Sequence, residues 1–75
     1  MYLVSIKNQN REETAAEVQA LLTRYGENIT TRLGIRDPKN DKKGIIIVTY
    51  NQEDVEDFIE DLNKIHEVEV NYMEV

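Results

Sequence analysis

The sequence predicts an α+β sandwich, a four-stranded antiparallel sheet with two helices on one face. Three observations carry that prediction. Two stretches repeat their apolar residues at helical spacing, four others alternate in twos, and they follow one another in the order βαββαβ. The 75 residues are expected to form one domain, 1–75, since a second does not fit. At 40% hydrophobic and 32% charged the chain is too apolar for disorder and holds no run long enough to cross a bilayer. Cysteine is absent, which excludes disulfides and thiolate metal sites. A core this small is marginal alone, and self-association is the support the composition leaves open.

The first strand is read from Tyr2, Val4 and Ile6 on one side and Met1, Leu3, Ser5 and Lys7 on the other. Asn8-Gln9-Asn10 favours a turn, and Asn10 is expected to cap a helix with Glu13 closing a capping box. Ala15, Val18, Leu21, Leu22 and Tyr25 form the apolar stripe of that helix, and Gly26 is expected to end it with a positive φ. From Ile29 the period is two, with Ile29, Thr31, Leu33 and Ile35 opposed to Thr30, Arg32, Gly34 and Arg36. Asp37-Pro38 ends this strand, and a polar loop from Lys39 to Gly44 completes a hairpin.

Ile45-Ile46-Ile47-Val48 is apolar on both faces, as a central strand requires. Asn51 is the expected cap of the second helix, whose Val55, Phe58, Ile59, Leu62 and Ile65 repeat at spacings of three and four. Val68, Val70 and Tyr72 then alternate with Glu67, Glu69, Asn71 and Met73 as a final strand. Right-handed crossovers and one hairpin give this order a split-βαβ, ferredoxin-like solution, with the first and third strands central. If Tyr2, Val4, Ile6, Leu33, Ile46, Val48, Val70 and Tyr72 meet the helices, the open face shows Leu3, Ser5, Thr30, Arg32, Gly34, Ile45, Ile47, Glu69 and Met73. Its apolar centre, Leu3, Ile45 and Ile47 with Met73 beside them, is the expected interface of a homodimer or higher homo-oligomer.

Charge narrows the function classes. Residues 1–52 carry net +2 and residues 53–75 net −8, so the acidity belongs to the C-terminal third. A nucleic-acid surface needs clustered Lys and Arg, and the nearest approach is Lys39, Lys42 and Lys43 in one loop, so nucleic acid is not an expected partner. Lys43 to Tyr50 overlaps the third-strand pattern of RNA-recognition modules, but Ile45 and Ile47 stand where those modules stack bases on aromatics. An acylphosphatase-like reading would cradle phosphate in the loop Lys7–Arg11; that loop has no glycine, although Arg11 could touch an anion. No metal or cofactor is expected: His66 stands alone, and Glu53, Asp57, Glu60 and Asp61 fit a solvated helix face better than a cation site. The opening residues MYLVSIKN lack the pattern of a secretory leader, so membrane association is not expected and a cytoplasmic location is.

The stretch from Arg24-Tyr25-Gly26-Glu27-Asn28-Ile29 through Thr31-Arg32-Leu33-Gly34-Ile35, the Ile45–Val48 strand and the closing helix and strand resemble small ACT-like regulators of the iron-only hydrogenase system. The resemblance spans nearly the whole chain, with Arg32-Leu33-Gly34 its most particular element. The fold of those proteins is similar to the ligand-binding domain of nickel-responsive repressors. Such ACT-like domains pair their sheets and bind small effectors at the interface, so the resemblance implies a non-catalytic regulatory or small-molecule-sensing module acting as a homo-oligomer. The sequence departs from the pattern in its glycine-free first loop and in lacking His/Cys nickel ligands, so neither amino-acid binding nor nickel binding carries over. Candidate ligand-binding residues are Arg32, Gly34, Asn8, Asn10 and Arg11, with Arg32 the anion contact and Gly34 admitting close approach. The alternatives are a protein–protein adaptor without a ligand and, behind it, the acylphosphatase-like enzyme.

Overall fold

The six elements occur in the expected order in a computed structural model that describes all residues from Met1 to Val75. They are β1 (Tyr2–Asn8), α1 (Arg11–Arg24), β2 (Ile29–Arg36), β3 (Gly44–Tyr50), α2 (Val55–Asn63) and β4 (Val68–Glu74), with a short 3₁₀ turn, Gly26–Asn28, between α1 and β2. The sheet order is β2-β3-β1-β4 with every neighbouring pair antiparallel, the ferredoxin-like arrangement with the first and third strands central.

The inward residues of the central strands, Val4, Ile6, Val48 and Tyr50, meet Val18 and Leu22 of α1 and Val55, Phe58, Ile59 and Leu62 of α2, with Ile65 closing the end. Burying each such side chain contributes about 1.5–3 kcal/mol. Phe58 stacks on Tyr50 at 5.0 Å between ring centroids, and Tyr25 tilts against both. The α2 stripe is therefore as read from its spacing. That of α1 is narrower: Thr14, Val18 and Leu22 are buried, Leu21 and Tyr25 are half-buried, and Ala15 is exposed.

Polar side chains explain the difference at α1. Asn8, inside the sheet, places Oδ1 where it accepts the Asn10 backbone N–H at 3.1 Å and meets the Thr14 hydroxyl at 2.6 Å. Thr14 Oγ1 also lies 2.8 Å from the Asn10 carbonyl, so the strand end and the first helical turn are tied together. Asn8 thus braces the turn before α1, while Asn10 at the N-cap makes no side-chain cap bond and its Oδ1 is buried without a partner. Glu13 is exposed and closes no capping box. Gly26 does not end α1 through a positive φ, because no glycine has one; the helix relaxes at Tyr25 (φ −96°) into the 3₁₀ turn. Asn51 does not cap α2 either. Its N–H donates to the Asn28 carbonyl at 2.8 Å, and Asp54 stands before the helix.

The most consequential departure is in β2. Ile29 pairs with Tyr50 and Thr31 with Thr49, so Thr30 is an extra residue, a β-bulge, with its hydroxyl 2.7 Å from that of Thr49. One inserted residue inverts the side-chain parity of everything after it. Leu33 pairs with Ile47 and Ile35 with Ile45 on the open face, while Arg32 and Gly34 pair with Val48 and Ile46 on the helix side. The expectation that Leu33 points inward and that Arg32 and Gly34 point outward is corrected accordingly.

Two predictions follow from local chemistry. The Tyr25 hydroxyl donates to Asp61 Oδ2 at 2.6 Å. That bond, with some burial, pushes the phenol up from 10.0 to about 12, and the same bond holds the Asp61 carboxylate below the usual range. A raised phenol stabilises the fold up to about pH 10 and loses that contribution as the pH climbs through about 12. A depressed carboxylate does the reverse, contributing above its ordinary value and losing it as the pH falls. Tyr25→Phe is expected to lower the melting temperature at neutral pH and to flatten the alkaline decline, read by circular dichroism melts across pH. Separately, Glu67 occupies the left-handed region (φ 62°) while its carbonyl accepts the Gln9 N–H at 3.0 Å. Glu67→Gly keeps that backbone bond and relieves the conformation, so urea unfolding is expected to show a gain of about 0.5–1 kcal/mol.

Candidate functional site

The bulge in β2 carries Arg32, Gly34 and Arg36 to the helix side of the sheet, where they meet α1 across a cleft of about 330 Å³. Its walls include Arg11, Arg32 and Arg36, three of the four arginines in the chain, the fourth being Arg24. Asn8 and Gln19 add polar amides, and Ala15, Val18 and Ile46 supply apolar surface. No aspartate or glutamate lines it, although the chain holds 15.

Each cleft residue has a local reason for its position. Arg11 opens α1; its backbone N–H donates to the Lys42 carbonyl at 2.7 Å and its Nη1 to the Asp41 carbonyl at 3.1 Å, fastening the helix start to the β2–β3 loop. That loop is self-bracing, with the Lys39 and Lys42 N–H groups donating to the side-chain oxygens of Asp37 and Asn40. Arg32 Nη2 donates to Gln19 Oε1, so α1 steers the guanidinium that β2 delivers. The ion pairs of the molecule, Asp61 with Arg24 and Lys64 and Glu67 with His66, involve none of the three cleft arginines.

Of the five residues expected to bind a ligand, the structure brings four to this cleft: Arg32, Gly34, Asn8 and Arg11. Asn10 is not among its walls. Reading by residue type missed Arg36, Gln19 and Ala15. Arg36 follows Arg32 and Gly34 at steps of two, so it was findable by parity once the strand was placed. A smaller cavity of about 240 Å³ shares Arg36 and Gly44 and is flanked by Lys7, Lys43 and Asp37.

The open face of the sheet is the second feature. Leu3, Ile45, Ile47 and Met73, the expected interface residues, lie together there, and the bulge adds Leu33 and Ile35 between them and the β2 edge. Leu33 is 54% and Met73 59% exposed. Lys7 and Glu69, cross-strand partners, are the charged pair of this face.

No three His, Cys, Asp or Glu residues gather closely enough to hold a metal ion. Asp61 is engaged by the Tyr25 hydroxyl and the Lys64 ammonium, and the His66 side chain is 87% exposed. No helix is long and apolar enough to cross a membrane.

Comparison with known proteins gives a family and a fold. The family model "TM1266-like: Iron-only hydrogenase system regulator, putative" matches residues 1–72. Among solved structures, the chain is similar to uncharacterized protein TM1266 from Thermotoga maritima, with TM-score 0.87 and 24% identity over 96% of this chain and 91% of that one. It is also similar to PA3566 from Pseudomonas aeruginosa, with TM-score 0.66 and 10% identity over 99% and 92% of the two chains. A third likeness is to SnoaB, a cofactor-independent oxygenase from Streptomyces nogalater, with TM-score 0.63 and 12% identity over 99% and 91%. No curated protein matches the sequence. At these identities the structural likenesses speak for the fold.

The two glycines of the cleft should respond oppositely to a methyl group. A Cβ at Gly44 would lie 3.1 Å from both the Arg11 Cδ and the Ile35 carbonyl oxygen, whereas one at Gly34 would meet nothing within 4 Å. Gly44→Ala is expected to cost about 1–3 kcal/mol by overpacking against backbone, and Gly34→Ala to leave stability unchanged or raise it by up to about 1 kcal/mol. Parallel denaturant titrations of the two variants check the contrast.

Proposed function

The chain belongs to the TM1266-like family, and we propose that it is a non-catalytic regulator of an iron-only hydrogenase system that works as a homo-oligomer paired through its open sheet face. One observation carries the reading: Leu3, Leu33, Ile35, Ile45 and Met73 are exposed around a half-buried Ile47 on one sheet face, an apolar surface that the fold leaves open. Surfaces of this kind on small domains mark a partner.

A second copy fits it best on charge and area. At net charge −6, two copies repel wherever their acids meet, and the acids of the C-terminal third stand mainly around α2, on the other side of the sheet. The open face itself is close to neutral, with Lys7 and Glu69 offering one cation and one anion to a copy related by a two-fold axis. Four strands about 4.8 Å apart, each about 23 Å long, present roughly 440 Å² per copy before side-chain relief is counted. The two copies together give roughly 880 Å² of flat sheet, which side-chain relief raises toward the about 1,000 Å² a specific interface should clear.

The cleft chemistry supports a binding role over a catalytic one. Guanidinium groups keep their protons throughout the physiological range, and amides and aliphatic side chains do not exchange them. The cleft therefore presents no side chain poised to give or take a proton near neutrality. The likeness to SnoaB, at 12% identity, is one of fold and brings no activity with it.

Sedimentation equilibrium at micromolar concentration tests the proposal. A dimer or higher oligomer is expected, reduced to monomer by Ile47→Glu, which plants a carboxylate at the centre of the face. A monomeric parent protein would contradict it.

A further inference from the structure

We propose that the cleft between α1 and β2 is a binding site for a small organic anion with at least two negative charges, in the form of carboxylates or a phosphate monoester, attached to a short apolar body. The inference deepens the regulator reading by naming its effector class. It uses the opposite side of the sheet from the self-association surface, so either reading can fail without the other.

The first support is uncompensated charge. Arg11, Arg32 and Arg36 line one cleft with no carboxylate among its walls and no ion pair to any of the three, in a chain whose acids outnumber its bases 15 to 9. Three like charges around one cavity repel one another, and an anion between them removes that cost. Guanidinium forks match carboxylate and phosphate oxygens with paired hydrogen bonds, which sets the ligand class.

The second support is that the donors are held in place. Gln19 orients Arg32, and the Asp41 carbonyl anchors Arg11, whose stem passes against Gly44. Asn8 is only 4% exposed. Its hydrogen bonds all fall on Oδ1, and the Asn10 N–H, which can only donate, fixes that orientation. The Nδ2 group, which takes no part in those bonds, is the donor Asn8 has left to offer at the cleft it lines.

The third support is space. Ala15 and Gly34 leave the cleft unfilled, a Cβ at Gly34 meets nothing within 4 Å, and Val18 and Ile46 give an apolar surface for the body of the ligand. The volume of about 330 Å³ suits a small metabolite.

Citrate and glycerol phosphate, titrated at constant ionic strength into the ¹⁵N-labelled full chain, test the site. At least one is expected to give saturable shifts centred on the Asn8 side-chain amide and the backbone of Arg11, Gly34 and Gly44. Arg32→Gln and Arg36→Gln should each weaken binding by about tenfold to a hundredfold, the value of a charge-assisted bond. Lys39→Gln removes a charge from the β2–β3 loop outside the cleft and should change it little. Carboxylate and phosphate arms separate the two ligand chemistries, and saturation by either supports the site. Shifts that do not saturate with either probe, or that Lys39→Gln weakens as much as Arg32→Gln does, would overturn it. Because both arginines project from an edge strand, each variant's spectrum reports directly that the fold is retained.

Discussion

One inserted residue organises the functional surfaces of this molecule. Thr30 has no partner of its own in β3, and the bulge it forms between Ile29 and Thr31 inverts the facing of the rest of β2. Without it, regular alternation from Ile29, whose side chain packs on the core, would send Leu33 and Ile35 toward the helices and expose Arg32, Gly34 and Arg36 on the open face. With it, the aliphatic residues complete an apolar surface and the basic ones enter a cleft. Both faces of β2 depend on the same backbone irregularity, and the hydroxyl pair Thr30–Thr49, at 2.7 Å, braces the strand at that point.

How far the sequence made this legible depended on the range of the signal. The element order and the central position of the Ile45–Val48 strand follow from apolar spacing, because periodicity reports which face is buried. The α2 stripe was equally plain, every fourth or third residue being aliphatic or aromatic against a background of acids. Caps were harder. Asn10 and Asn51 have the right chemistry for the ends they precede, yet Asn8, two residues earlier and buried in the sheet, reaches the backbone of the turn first. The bulge was illegible, since Ile-Thr-Thr-Arg-Leu-Gly-Ile-Arg reads as unbroken alternation and only pairing with a specific β3 register reveals the extra residue. Four of the five candidate ligand residues nevertheless converge on one cleft. Arg32 and Gly34 reach it from the side of the sheet opposite to the one alternation implied.

The distribution of charge now has a spatial meaning. A chain of net charge −6 keeps its acids largely around α2 and the strand after it, which leaves the open sheet face nearly neutral and the α1–β2 cleft basic. The three regions are chemically distinct within 75 residues. Separation of this kind lets one side of a four-stranded sheet associate while the other side receives a ligand, with β2 and β3 contributing to both. A shift of β2 caused by a ligand on Arg32 would be felt at Leu33, its immediate neighbour on the opposite face. Coupling of that kind needs no long pathway, since adjacent residues of one strand already face both sites.

The facing of β2 is open to direct measurement by methyl and side-chain nuclear Overhauser contacts. The account predicts strong cross-strand contacts from Leu33 to Ile47 and from Ile35 to Ile45, together with contacts from the Arg32 side chain to Gln19 of α1. Contacts from the Leu33 methyl groups to Val18 or Leu22, with Arg32 remote from α1, would contradict it.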